Sequence, residues 1–296
     1  MVKRIQWHDV KKLAVIYSFI LPFMVFIVTF SFIPIVQLFY YTTQTGSLFG
    51  TMKFVGFDNY VKVATTQRYL AFFENNLFII IFSIPITQVL AFLLAVCLRK
   101  KMFFSAFLET MYFLPLLVSM VGASIIMAYL FSPGAPVNYC LQLLGLKPVD
   151  WIGTPAGSRS IIVVIESWKD VGFYVFIYLT ALRAIPADYY EIAELEGAKS
   201  FQIMFRITIP MVRRTIFYCM TMVIIWQTQI FDSAYIATRG GPLNSTKTIV
   251  YAIYETTFLS NNPGMGSTLS VFFLFIILTV TVIQNYFSNK FDVLEY

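Results

Sequence analysis

Charge is what this sequence most lacks. Only 12% of its 296 residues are Asp, Glu, Lys or Arg, about half the roughly 25% usual in a soluble domain. An ordinary soluble globule is excluded, because the deficit comes from long apolar runs rather than from a diffuse excess. Histidine is nearly absent as well: His8 stands alone in a basic N-terminal segment, so there is no His/Cys cluster with metal-ligand spacing. Cys97, Cys140 and Cys219 are an odd number, and two of them fall inside apolar runs. That argues against a disulfide framework and for small buried hydrophobes. Neither the phosphate-cradling GxxxxGK(S/T) loop nor a GxSxG nucleophile elbow is present, so the chain has no usual means of binding ATP and no acyl-transfer nucleophile. No catalytic residue, metal ligand or cofactor of its own is expected, and no enzyme activity.

What is present is apolar: 58% of the residues are hydrophobic and 18% aromatic. A run of about 20 apolar residues crosses a bilayer core as a helix. Six such spans are predicted, at 13–41, 77–98, 106–131, 160–184, 213–236 and 267–288. The expected class is an all-α integral membrane protein with one membrane domain over 13–288, a short N-terminal segment (1–12) and a tail (289–296). The first run, Leu13 to Phe39, far exceeds the h-region of a signal peptide, about 7–15 residues, and reads as a retained helix. Pro22, Pro34, Pro85 and Pro115 lie in or near spans, where neighbouring helices satisfy the freed carbonyls.

The net charge of +6 does not mark a nucleic-acid binder, since the basic residues sit beside apolar runs. Thirteen occupy one set of alternate segments: Lys3, Arg4, Lys11, Lys12, Arg99, Lys100, Lys101, Arg183, Lys199, Arg206, Arg213, Arg214 and Lys290. Eight are spread over the longer opposite loops. By the positive-inside rule both termini are cytoplasmic. The outer loops, 42–76 and 132–159, carry "FVGFDNY", "SPGAPVNYC" and "DWIGTPAG", which predict ordered turns and short interfacial helices.

The stretch 186–210, "PADYYEIAELEGAKSFQIMFRITIP", is too polar and too long for a simple connector, and it falls on the cytoplasmic side. Pro186 ends the fourth span. Asp188 is expected to cap a new helix, with Glu191 in the capping-box position, and Gly197 to stop it in the left-handed region. Ser200 is expected to cap a second short helix that ends before Pro210. Neither helix is long enough to be stable alone. The pair either packs beneath its own membrane helices or docks on another subunit.

That segment resembles the EAA loop of permease subunits of binding-protein-dependent ABC importers, with Glu191, Ala193, Gly197, Ile207 and Pro210 in register; Ile192 and Ile209 stand where the pattern has Ala and Leu. "FVGFDNY" (54–60), "YFLP" (112–115), "ALRAIPADYYEIAELEGA" (181–198) and "DSAYIATRGGP" (232–242) extend the resemblance along nearly the whole chain, toward the carbohydrate-uptake branch of maltose, multiple-sugar and glycerol-phosphate type. The resemblance implies a type I importer permease fold. It implies a coupling helix in which Glu191, Ile192, Ala193, Glu194, Gly197 and Ala198 seat in a cytoplasmic ATPase. It also implies four kinds of partner: a second homologous permease, two ATP-binding subunits that hold ATP and Mg, an extracytoplasmic solute-binding protein, and the lipid of a bacterial-type inner membrane. The cargo implied is a sugar or oligosaccharide, with glycerol phosphate or another polar solute as the alternative. A secondary transporter would show internal repeats or broken helices, and a scaffold would need no polar cavity.

Polar groups inside spans mark a pathway or a structural pair. Glu166, Lys169 and Asp170 share a face of span four, with Glu166 spaced to pair with Lys169. Span five carries "WQTQIFDSAY", in which Gln227, Gln229 and Asp232 are costly to expose to lipid, whereas Trp226 and Tyr235 equally suit interfacial anchoring. By resemblance to maltose-type permeases, cargo would meet Lys169, Asp170 and Phe173 of span four and Gln229 of span five.

Overall fold

The computed structural model describes residues 7–48, 50–99 and 104–292. Lys3, Arg4, Lys100 and Lys101 lie outside the described residues, as do the outermost residues of the expected N-terminal segment and tail. The chain up to Thr65, with Ile253–Phe272, forms one compact unit, and Thr66–Ala252 with the stretch from Phe273 forms a second.

In the first unit α1 (Trp7–Ile27) runs through a π turn (Val28–Phe32) into α2 (Ile33–Thr42). Pro34 has no amide hydrogen to give, and the N–H of the residue before it, Ile33, reaches back to the Val28 carbonyl; the widened turn absorbs the proline without ending the helix. A hairpin follows, β1 (Gln44–Gly46) against β2 (Met52–Phe54), antiparallel with Gln44 opposite Phe54, and then α3 (Asp58–Thr65). The "FVGFDNY" motif closes this corner. Gly56 takes a φ of +57°, and buried Asn59 donates to the Thr42 carbonyl at 2.9 Å and the Gln44 carbonyl at 2.7 Å. Tyr60 donates to the Thr42 hydroxyl at 3.0 Å. The expected ordered outer turn is therefore a latch at the end of the first span.

The second unit is built on α4 (Gln67–Leu98). After it come α5 (Ser105–Leu117), α6 (Met120–Leu130), α7 (Pro136–Leu143) and α8 (Pro155–Arg183). The short helices α9 (Asp188–Leu195) and α10 (Ser200–Ile203) precede a π turn (Met204–Thr208) and α11 (Ile209–Met211). Then come α12 (Arg213–Thr228) and α13 (Asp232–Ala237). Finally α14 (Ile249–Tyr254) leads through a π turn (Glu255–Leu259) to α15 (Pro263–Asp292), a stretch of which Ile253–Phe272 belong to the first unit. The core lies between α4 and α8. Ala91 and Ala95, one turn apart on α4, have no exposed surface and let α8 approach with Val171, Tyr174, Val175 and Tyr178. Small residues at such a seam favour association where lipid offers no hydrophobic contrast.

Three helices among the described residues are long and apolar enough to cross a membrane: Val15–Thr42, Gln67–Leu98 and Pro263–Tyr286. Two bent pairs raise this to as many as five. Two of the six expected spans are therefore not single helices. The one expected at 106–131 bends by 101° between α5 and α6, because Val118 and Ser119 are extended and the Ser119 hydroxyl accepts from the Gly122 N–H at 3.1 Å, starting a new helix. The one expected at 213–236 stops at Thr228 and resumes at Asp232. Its apolar run also extends backward, through a 71° bend, into Ser200–Met211. The fourth expected span is one 29-residue helix, α8, whose Glu166, Lys169 and Asp170 keep it out of the apolar class.

Candidate functional site

Glu166, Lys169, Asp170 and Phe173 recur at helical spacing along one face of α8. The expected Glu166–Lys169 ion pair does not form; each group takes a partner on a different element. Glu166, 7% exposed, accepts from the hydroxyl of fully buried Ser233 on α13. Lys169 donates to the Pro115 carbonyl at 3.3 Å and the Leu116 carbonyl at 3.0 Å, at the end of α5. Asp170 accepts from the Gln227 amide at 3.2 Å. The reason is local: at the end of α5 the Leu116 carbonyl has no backbone donor and the Pro115 carbonyl has only the Val118 N–H at 3.3 Å, and an ammonium at a helix C-terminus complements its dipole.

Gln227, 1% exposed, is the hub. Its carbonyl oxygen accepts from Ser83 at 2.6 Å, and its amide nitrogen donates to Thr87 at 3.3 Å as well as to Asp170. Ser83 and Thr87 of α4 were not singled out above, although two hydroxyls four residues apart in an apolar run are a legible signal for a bundle-facing stripe. At the residue after Thr87, Tyr178 donates to the Gln88 side-chain carbonyl oxygen at 2.5 Å. Phe173 packs on Trp226 with ring centroids 5.1 Å apart, so Trp226 has a partner inside the unit. Phe173, Asp170 and Asp232 are half-buried, whereas Gln229 is exposed, its amide turned back to the Ile225 carbonyl at 3.0 Å. The structure thus joins Asp170 and Gln227 directly, and it places Gln229 off that network.

Beyond α13 the "TRGGP" stretch enters a loop in which Arg239, Leu243 and Asn244 all have positive φ. Arg159 and Asn75 hold it: Arg159 donates to the Ser245 carbonyl at 2.9 Å and to Asn75 at 2.8 Å, and Asn75 donates to the Asn244 carbonyl at 2.7 Å.

The 186–210 segment has two faces. Tyr190 and Ala193 of α9 are buried, with the Arg99 guanidinium 3.5 Å from the centroid of the Tyr190 ring, a cation–π contact. Glu191, Ile192, Glu194 and Leu195 are exposed, Leu195 to 88%. Asp188 is the first residue of α9, not its cap; Ala187 precedes the helix and no side chain caps it. Gly197 has φ +76° as expected. The Ala198 N–H bonds to the Ala193 carbonyl at 2.9 Å and the Gly197 N–H to the Glu194 carbonyl at 3.0 Å, a Schellman stop. Lys199, not Ser200, precedes α10, and its N–H bonds to the Gln202 side chain at 2.8 Å. The helix then continues past Pro210 through the π turn, Ile209 bonding back to Met204, so the second short helix does not stop where expected.

The polar-faced helix α8, its two broken neighbours and the Gly197-stopped helix that follows it belong to a permease of an ABC importer, the class that the family comparison gives. The chain belongs to the family described as binding-protein-dependent transport system inner membrane component, which matches residues 67–293; it is a membrane transport subunit rather than a catalytic enzyme. It is similar to the osmoprotective compounds uptake permease protein GgtC of Synechocystis, 31% identical over 89% of this chain and 95% of that protein. Against the lactose transport system permease protein LacF of Rhizobium radiobacter the identity is 30%, over 92% and 93%. In fold it resembles a chain of a bacterial ABC transporter involved in import of the acidic polysaccharide alginate, at 22% identity and a TM-score of 0.85, covering 96% of this chain and 98% of that one.

Proposed function

We propose that this permease forms half of the translocation pathway for a neutral sugar or oligosaccharide, with a second, homologous permease supplying the other half. In this reading α8 and the two bent pairs complete six crossings, and both termini are cytoplasmic, as the distribution of Lys and Arg requires. The pathway surface consists of Asp170, Phe173, Gln229 and Asp232 with Trp226. Glu166, Lys169 and Gln227 support it from behind. Rings beside carboxylates and amides suit the apolar faces and hydroxyls of saccharides. On the cytoplasmic side, exposed Glu191, Ile192, Glu194 and Leu195 seat in an ATPase that holds ATP and Mg, while Ala193, Gly197 and Ala198 shape the helix and its stop. An extracytoplasmic binding protein delivers the cargo.

The observation that carries the cargo class is the set of ionisable groups on the α8–α13 face. That face presents Asp170 and Asp232, with Glu166 buried behind them, and the Lys169 ammonium beside them is engaged by two carbonyls. A phosphate ester or uronate would meet acidic side chains there and an ammonium that is already engaged. That disfavours glycerol phosphate, although one relative of 25% identity, from Agrobacterium fabrum, is an sn-glycerol-3-phosphate transport system permease protein. Relatives named for arabinooligosaccharides and lactose agree with a neutral cargo. Uptake of radiolabelled neutral oligosaccharides and of glycerol phosphate by vesicles holding the whole complex decides the matter. Preference for the phosphate ester would overturn the neutral-sugar reading.

A further inference from the structure

The two breaks in the second unit are tied to the same turn and a half of α8. Lys169 supplies the donors for the Pro115 and Leu116 carbonyls, which stand just before the 101° bend into α6. One turn on, Gly172 lies so close to α5 that an added Cβ would strike the Tyr112 carbonyl oxygen. Both contacts involve the "YFLP" stretch, Tyr112 to Pro115. Asp170 holds Gln227 at the end of α12, and Glu166 holds Ser233 just past the 229–231 interruption. The pieces beyond the breaks, α6 and α13, pack on one another as well as on α8.

We propose that Lys169 is a positioning residue rather than a cargo ligand: its ammonium fastens the α5–α6 break to α8, and with Asp170 and Glu166 it makes α8 the single rod that carries both broken neighbours during transport. The inference rests on the importer reading and goes beyond it. An unsatisfied helix end in a water-poor setting is costly, so the break persists only where a donor is fixed. Lys169 is that donor for the Leu116 carbonyl and a second donor for the Pro115 carbonyl, which the Val118 N–H also reaches, and it belongs to the helix that ends at Arg183, five residues before α9 begins. Movement of α9 reaches both breaks through α8 because the three side chains allow neither break to slip along it. A ligand role would leave the ammonium free to exchange carbonyls for sugar hydroxyls on each cycle, loosening α5 every time cargo passed.

The test uses the assembled complex in proteoliposomes with saturating ATP. Lys169→Met keeps the length of the side chain and removes the donors; Lys169→Arg keeps both donors and charge. The expected result for Lys169→Met is a fall of about tenfold or more in maximal uptake, with the apparent KM for cargo-loaded binding protein within about twofold of wild type, and recovery in Lys169→Arg. A raised KM with unchanged maximal rate would make Lys169 a cargo ligand and overturn the proposal, as would wild-type kinetics. Should Lys169→Met fail to assemble, spin labels at exposed Leu117 and Phe176, with the three native cysteines replaced, report on the otherwise unaltered complex. The proposal expects the same inter-label distance with and without ATP, while a distance that changes with nucleotide would sink it. Wild-type complex lacking any ATP-driven uptake would count against the importer reading itself, and the distance measurement would still judge the clamp.

Discussion

Gly172 on α8 and Tyr112 on α5 touch backbone to backbone: the Tyr112 carbonyl occupies the space where any other residue at 172 would carry its Cβ. Interhelical packing in a membrane rests largely on such close approach of small residues. Gly172→Ala must therefore push α5 away or bend α8. The expected loss is about 1–3 kcal/mol, typical of overpacking a filled site, seen as a lower midpoint of thermal unfolding in detergent. An unchanged midpoint would mean that the two helices are not held at this distance.

Gln227 joins three helices through one amide. Gln227→Leu removes three hydrogen bonds, to Ser83, Thr87 and Asp170, and leaves the Asp170 carboxylate without its amide donor. Interhelical bonds in membranes average about 0.6 kcal/mol and reach about 1.7 kcal/mol, so the expected destabilisation exceeds that of Thr87→Ala, which removes a single partner. Comparing the two variants by denaturant or thermal unfolding checks this. Equal effects would show that Ser83 and Asp170 draw little from the amide.

At Gly197 the constraint is conformational and not steric. Its φ is +76° and nothing lies within 4 Å of an added Cβ. Asparagine tolerates the left-handed region and valine does not, the cost for L-residues being roughly 1–2 kcal/mol. Gly197→Asn should retain ATP-coupled uptake and Gly197→Val should lose most of it. If both behaved alike, the Schellman stop of α9 would have no part in coupling.

Leu195 is the most exposed apolar residue of α9 and contributes nothing to the chain's own core. Leu195→Asp should leave expression and unfolding of the permease unchanged while sharply reducing co-purification of the ATPase, since burying an unpaired carboxylate at an interface is costly. Ala193→Asp, on the buried face, should instead impair the permease itself. Retention of the ATPase by Leu195→Asp would place the docking surface elsewhere.

Much of this protein is legible in its sequence. Apolar runs far longer than any soluble core requires place α1–α2, α4 and α15, and Gly197 announces its own left-handed turn because a φ of that sign suits few other residues. The Gln227 network was half legible: its amide in an apolar run demands partners, but the sequence does not say that they are Ser83 and Thr87, more than a hundred residues away. Three readings failed for a common reason. The Glu166–Lys169 pair, the unbroken span at 106–131 and the Asp188 cap were each inferred from neighbours along the chain, and each was overridden by a competitor from elsewhere or from the backbone itself.

The sequence by itself determined a membrane-spanning helical chain, the Gly-hinged segment after Arg183 and the family to which both belong, because hydropathy period and backbone constraint are local properties. Only the tertiary structure decided which partner each ionisable group takes. Lys169 looks equally able to bind Glu166 one turn away or a ligand in a cavity, and its ammonium lies instead on the Pro115 and Leu116 carbonyls. The broken end of α5 leaves the Leu116 carbonyl without a backbone donor and the Pro115 carbonyl with only the Val118 N–H at 3.3 Å, and in a medium without water that unmet demand prevails.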